Sequence, residues 1–562
     1  MKRLIVDHWL LIIIFLLAAF LRFYQLISVP PSLNWDETAL GYNAYSILKT
    51  GKDEYGKFLP LVFKSFGDFK PGIYVYLTVP FVALFDLSEF AVRAPSALFG
   101  VLTVGILFFL VKELFGNKKI ALIAAFFLAI SPWHLLLSRP AFEANIALFL
   151  NLLGIFFFLK FIKKRTIFSF LFFAFSFLIS LYTYQVSKLI VPLFTIGLIL
   201  FWFREVIGLP KKYFLIAFGF LLLAFPIYYG SIFGSQGGRF EVFSVFSYPS
   251  TGQMMEKLAK EDETTVGSLP FQFFHSQPYQ FGRTILSNYL NHLSPRFLFF
   301  EGDFQNQRTK IPDNGMMYFF DIVFLLFGLY AFFKTKLDRQ KYFLLFWLAV
   351  SPLPAALTRD QVSPIRAFNL VVPLVILSAF GAWFLLEKIK TLPKIPFLIL
   401  AVFGVLMFWN ISFLLDSYFI HYPKIASREW LYGYKEAVEV AQQNYNDFKK
   451  IIFTTVYNEP YIFVLFDTKY PPAKYQPQAK LRYLRGPLDV GEVMGFDKFD
   501  FRAVNYPGDL DLKNTLLVAG ANEIPPDELE RDVRLGKVEI VKEINFLDGS
   551  PAFRIVAVKN AT

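Results

Sequence analysis

The sequence predicts an α-helical polytopic membrane protein carrying an α/β domain at its C-terminal end. Of 562 residues, 55% are hydrophobic and only 18% charged, mean hydropathy is positive, and the apolar residues gather into runs of about 20, the length a bilayer asks of a helix. The net charge of +12 does not point to nucleic acid. Most Lys and Arg stand in short clusters between apolar runs, where they set topology. The absence of cysteine excludes disulfides, thiolate metal sites and cysteine nucleophiles. His8, His134, His275, His292 and His421 have no ligand spacing.

Taken in order, Lys2 and Arg3 precede an apolar run that continues past Phe20 to about Ile27 with no small-residue cleavage site. It reads as a retained first span with its basic end in the cytoplasm. Ten more spans are expected near 93–111, 120–137, 143–159, 166–182, 187–203, 213–231, 316–333, 342–358, 367–386 and 396–415, about eleven in all. The run 72–85 is shorter and contains Gly72 and Pro80. Read as a re-entrant or interfacial helix on the external face, it leaves the basic linkers 112–119, 160–165, 204–212, 334–341 and 387–394 all cytoplasmic; read as a span, it inverts every one.

The same parity puts the loops 28–92 and 231–315 outside, together with everything after 416. The expected division is a transmembrane domain over 1–415 and an extracytoplasmic α/β domain over 416–562. In the latter, helices at 427–445 and 460–466 alternate with strands at 450–456, 514–519, 538–544 and 552–558, around a Pro-rich connection at 470–477.

The first external loop holds the acids Asp36 and Glu37. Asn34 fits a helix N-cap with Glu37 at the third helical position, and Tyr42, Ala44, Tyr45 and Leu48 offer one apolar face for a helix along the membrane surface. The acids either complement this helix dipole or do chemistry. At the far end of the loop, Lys70-Pro71 opens the run 72–85, where a lysine either snorkels as an anchor or binds an anion. Across the next pair of spans, Ser138-Arg139-Pro140-Ala141-Phe142-Glu143 sets a carboxylate at the head of an uncharged run, which is costly without a partner or a polar cavity. Either Glu143 pairs locally with Arg139, or it faces the same cavity as Asp36. Tyr184, Gln185, Lys188, Arg359, Asp360, Arg366 and Asp321 are further polar groups at external span ends.

The order Trp35-Asp36-Glu37, Lys70-Pro71-Gly-Ile-Tyr-Val-Tyr, Glu89-Phe-Ala-Val-Arg93 and Ser138-Arg139…Glu143 resembles the GT-C membrane glycosyltransferases. It is most similar to the bacterial relatives of protein O-mannosyltransferases and lipid A aminoarabinose transferases. The resemblance covers roughly 5–390 and is specific over 1–150. It implies a polyprenyl-phosphate sugar donor, with Asp36 matching the acid near the reacting centre, Glu143 the second acidic position and Lys70 a phosphate-contacting lysine. Glu37, Tyr184, Arg139 and Arg366 are additional substrate-binding candidates, not assigned by the match.

Those residue types suit the chemistry. An acceptor hydroxyl must lose a proton and a phosphate must gain charge, so Asp36 can be the base and Lys70, helped by Arg139 or Arg366, can neutralise the phosphate. The second motif has one acid and no Asp-x-Asp, and a single phosphate needs less neutralisation than a diphosphate, so no cofactor or metal site is expected. The implied function is an inverting glycosyl transfer to an extracytoplasmic acceptor (protein, lipid or cell-envelope glycan) at a bacterial cell membrane, with no nucleic-acid partner. A membrane transporter or lipid flippase is the alternative, although neither internal repeats nor midplane ionisable groups are evident.

Overall fold

The structure, a computed structural model, describes residues 2–66, 68–232, 244–247, 252–334, 336, 338–390, 396–483 and 491–558. The expected external loop 231–315 and the basic linkers 334–341 and 387–394 therefore lie partly outside the described residues. The chain forms two compact units: Met1–Leu21, Phe99–Leu137 and Ala144–Leu414 make the first, and Arg22–Leu98, Ser138–Glu143 and Leu415–Thr562 the second.

Every stretch expected to span is largely helical. The first is α1 (Lys2–Phe23) and the later ones begin with α4 (Glu89–Phe115), α5 (Lys118–Ile130), α6 (Pro132–Ser138) and α7 (Glu143–Lys164). Among the described residues, five helices are long and apolar enough to cross a membrane, or six if α5 and α6, bent by 57° at Ser131, are one span. The other expected stretches form shorter helices; Arg339–Val350, for example, has 12 residues and stops just before Pro352 and Pro354, which cannot continue the backbone ladder.

The first unit packs as a helical membrane domain packs, through small residues and interhelical hydrogen bonds. Helices Phe319–Lys334 and Val371–Ile389 touch at Gly328 and Gly381. A Cβ on Gly328 would lie 2.0 Å from the Leu377 carbonyl oxygen, and one on Gly381 1.8 Å from that of Phe324, so the contact is backbone to backbone. Asn151 in α7 donates to the Asn369 side chain at 3.1 Å and accepts from Ser180 at 2.8 Å, so these buried polar groups satisfy one another.

In the second unit, α2 (Trp35–Thr50) is followed by an antiparallel hairpin of β1 (Val62–Ser65) and β2 (Asp68–Pro71), with Phe63 opposite Lys70, and then by α3 (Ile73–Phe85). At 1.5 Å per residue the 13 residues of α3 extend about 20 Å, short of the ~30 Å hydrocarbon core. The N-cap expected at Asn34 is present, with Glu37 closing a capping box. The single apolar face is not. Tyr42 and Ala44 are fully buried but Leu48 is 39% exposed, and Glu37 and Thr38 of the acid-bearing first turn are buried as well, because α2 is packed between α3 and the helix Pro460–Asp467.

The C-terminal region contains a seven-stranded mixed sheet: β3 (Lys450–Phe453), β4 (Lys480–Arg482), β5 (Glu492–Phe496), β6 (Phe499–Phe501), β7 (Thr515–Gly520), β8 (Val538–Asn545) and β9 (Pro551–Val558), in the order β4-β5-β6-β3-β7-β9-β8. The central β3 pairs parallel to β6 and β7, and the remaining pairs are antiparallel. The four expected strands are β3, β7, β8 and β9, whose residues Ile452, Leu517, Val538, Val556 and Val558 form a buried core with Ile524 and Leu529. The strands β4, β5 and β6 were not expected, being three to five residues long. The helix expected at 427–445 starts only at Tyr434, after Gly433 at φ 102.

Candidate active site

Asp36 is the second residue of α2, where the side chain of Asn34 accepts its backbone N–H at 2.8 Å. The β1–β2 hairpin brings Lys70 back to it, and the Lys70 ammonium is ion-paired with Asp36 Oδ1. The two groups that sequence reasoning joined from opposite ends of one loop are thus in contact. The Asp36 side chain is 36% exposed and that of Lys70 15%, so a ligand can reach both.

Glu37, one residue on, has the opposite surroundings. It is 1% exposed. Its Oε1 accepts from Arg93 Nε at 3.1 Å and from the Ala141 N–H at 2.7 Å, and its Oε2 from Arg93 Nη2 at 3.0 Å and the Asn34 N–H at 3.4 Å. A carboxylate so occupied holds structure together. It fits a positioning role and not the substrate contact for which it was a candidate.

Arg93 completes that clamp and was given no role by the sequence reading. Fully buried, it also donates to the carbonyls of Leu26, Ile27, Pro30 and Ser32, and its guanidinium lies 5.7 Å from the centre of the Trp430 ring. Arg139 acts similarly: buried, it donates to the carbonyls of Arg22 (3.2 Å), Gln25 (3.1 Å) and Val29 (2.9 Å), with the centre of the Phe419 ring 4.9 Å away. The candidate phosphate ligand Arg139 is therefore engaged with backbone. Because irregular backbone presents carbonyls with no ladder partner of their own, two arginines, each rich in donors, are an effective way to tie down residues 22–32.

Glu143 stands in the first turn of α7, partly exposed, and its charge acts on Tyr74 in α3. The Ala141–Glu37 bond draws the Ser138–Glu143 segment to the acidic loop. Tyr184 and Arg366 belong to the other unit. Tyr184 lies in the turn before the helix Ser187–Phe201, its carbonyl accepting from the Ser187 N–H at 3.1 Å. Arg366 is ion-paired with Asp360 and donates to Thr358 Oγ1 at 3.1 Å.

The acidic loop is also bound to the C-terminal residues of its unit. Ser32 donates to the Trp430 carbonyl, Tyr42 to that of Tyr470 at 2.9 Å, and Gln476 to that of Asp53 at 2.9 Å. The hydroxyls of Tyr55 and Tyr461 are 3.0 Å apart. Two cavities flank this seam. One, of about 500 Å³, lies between residues 27–33 and 431–439 with Glu89, Lys435 and Asp467 in its wall. The other, of about 320 Å³, is lined by Asn458, Glu459, Tyr461, Arg482, Glu492 and Arg502 among others.

Fold and site together define a polytopic helical membrane protein with an acid–lysine pair in its first long loop. The profile of the dolichyl-phosphate-mannose-protein mannosyltransferase family matches residues 70–229, a stretch that begins at Lys70 and includes Arg93, Arg139 and Glu143. No curated protein matches. Among solved structures, ArnT from Cupriavidus metallidurans in the apo state has a TM-score of 0.53 at 12% identity, covering 97% of each chain. ArnT bound to undecaprenyl phosphate gives 0.50 at 11% identity, covering 100% of this chain and 99% of that one. The archaeal oligosaccharyltransferase AglB from Archaeoglobus fulgidus, in complex with an inhibitory peptide and a dolichol-phosphate, gives 0.48 at 14%, covering 82% of this chain; the chain spans 63% of AglB's length. The fold expected from the sequence, a helical membrane protein with a C-terminal sheet domain, is that of ArnT.

Proposed function

We propose that this chain is an integral-membrane glycosyltransferase that takes a sugar from a polyprenyl-phosphate carrier and passes it, with inversion, to a hydroxyl-bearing acceptor outside the cytoplasm. The observation that carries this is the contact between Asp36 and Lys70, two groups of the types the reaction needs, both reachable by a ligand. The family profile over 70–229 supports the reading over that of a transporter.

In this mechanism the donor phosphate binds at Lys70 and competes with Asp36 for the ammonium. Asp36, released from its partner, accepts the proton of the acceptor hydroxyl. The acceptor oxygen forms its bond to the anomeric carbon as the bond from that carbon to the phosphate oxygen breaks. The electron pair departs onto the phosphate, whose added charge Lys70 stabilises. Attack opposite the leaving group inverts the centre. Glu143 is a second acid for the acceptor side, and Glu37 with Arg93 fixes the α2 terminus that carries Asp36. A single phosphate facing one lysine is balanced without a metal, so chelation by EDTA is expected to leave turnover unchanged.

The test is to incubate the purified full chain with a panel of undecaprenyl-phosphate sugars and to follow release of free undecaprenyl phosphate. Release is expected for at least one sugar, and Asp36→Asn should lower it by about 10²-fold or more, the scale of general-base loss, in folded protein. No release with any donor, or near-normal turnover of Asp36→Asn, contradicts the reading.

A further inference from the structure

The cavity lined by Glu459 faces the same chemistry from the C-terminal side of the unit. The Lys70 ammonium sits 5.9 Å from the centre of the Phe66 ring, which meets the Tyr461 ring edge-on at 6.0 Å. Tyr461 is a wall of the cavity, and Glu459 is its neighbour but one. The charges of both Asp36 and Lys70 act on the Glu459 carboxyl, which burial, with the Glu492 and Asp36 charges adding, pushes up to about 7.

The backbone here is held in an unfavourable shape. Asn458 (φ 62) and Glu459 (φ 46) are successive non-glycine residues in the left-handed region, which asparagine tolerates far better than glutamate. Such conformations persist only where surrounding structure imposes them, and they gather at functional sites. The Tyr434 hydroxyl helps to impose this one by donating to the Asn458 carbonyl at 2.9 Å.

We infer that this cavity is a sugar subsite: the C-terminal part of the unit supplies, through Glu459 and Asn458 with Arg482 and Glu492, the hydrogen-bonding wall for a hydroxyl-rich ring next to the phosphate site at Lys70. The composition suits that ligand. Carboxylates accept from hydroxyls and guanidinium donates to them, while the buried rings of Tyr461 and Phe501 form a fixed floor beneath these polar groups. At about 320 Å³ the space is at the small end of ligand pockets. The inference rests on the glycosyltransferase reading, and the ring is either the donor's sugar or part of an acceptor glycan.

The experiment compares the detergent-solubilised full chain with Glu459→Gln, measuring affinity for undecaprenyl phosphate, for undecaprenyl-phosphate sugars and for a panel of methyl glycosides. Glu492→Gln, whose parent side chain is 47% exposed, provides a second variant that does not disturb a buried group. The expected result is unchanged affinity for undecaprenyl phosphate with about tenfold weaker binding of one sugar ligand, the scale of a lost hydrogen bond to a charged group. Weakening confined to the sugar-bearing lipid identifies the donor sugar, and weakening of a methyl glycoside identifies an acceptor ring. Wild-type-like binding of every sugar by both variants, or an equal loss of all ligands including undecaprenyl phosphate, overturns the subsite. Failure of the wild-type chain to bind undecaprenyl phosphate at all overturns the glycosyltransferase reading instead.

Discussion

Adjacent acids on α2 meet opposite environments, and their substitutions should differ in kind. Asp36 is partly in solvent and its loss should affect turnover. Glu37 and Arg93 are a buried pair, where removing one partner strands the other's charge and costs about 3–5 kcal/mol. Arg93→Ala should therefore lower the unfolding temperature of the purified protein sharply, and a melting curve like that of the wild type would refute the clamp. Glu54 offers a pH-dependent counterpart. Burial pushes its carboxyl from the usual 4.5 up to about 8, while the Asn43 amide donates to it at 3.1 Å. Its folded-state pKa lies above the unfolded value, so its stabilising contribution is fully present below about 4.5 and lost as pH rises through about 8. Glu54→Gln keeps the Asn43 bond and removes the titration. The variant should melt above the wild type at pH 9 and with it at pH 4.5, as thermal unfolding at both values can check. Of these residues, the sequence disclosed Asp36 and Lys70 because charge beside apolar runs is conspicuous. Glu37 and Asp36 are chemically alike and adjacent, and only the approach of Arg93 from the head of α4 separates their roles.

At the scale of elements, α2 shows how a correct local reading can miss its setting. The capping box at Asn34 and Glu37 is a local pattern and was legible. Burial of ten of its sixteen residues was not, since one partner, the helix Pro460–Asp467, belongs to the C-terminal part of the chain. Gly41 marks that contact: a Cβ there would lie 2.5 Å from Val92 Cγ2 and 2.6 Å from Phe466 Cε2. Gly41→Val should destabilise by about 1–3 kcal/mol through overpacking, read as a lower denaturation midpoint, whereas wild-type stability would mean the helices are not so closely packed. The hairpin that delivers Lys70 to Asp36 also escaped the sequence reading. Its strands are only four residues each, too short to show alternation, so Lys70 was legible as a candidate anion ligand but the turn that carries it to Asp36 was not. The short strands of the C-terminal sheet were hidden for the same reason.

For the whole molecule, the runs of apolar residues announced a helical membrane protein, and each became helical. The sequence did not disclose that residues 22–98 associate with the C-terminal residues, because that depends on long-range hydrogen bonds such as Tyr42 to Tyr470. The topology is an expectation drawn from the basic linkers. Cysteines introduced at Glu263 and Asp548 should react with an impermeant thiol reagent in intact cells and cysteines at Lys164 and Lys212 should not; the reverse pattern would mean that 72–85 spans. The proposed transfer depends above all on Asp36 and Lys70 acting as one site on one substrate. A double-mutant cycle in sugar-transfer turnover tests it most directly. If the two groups serve one transition state, Asp36→Asn, Lys70→Gln and the double variant should all fall to a similar low rate, since groups acting as a unit are strongly non-additive. Losses that multiply, with the double variant slower by the product of the two single effects, would show two independent groups and contradict the claim.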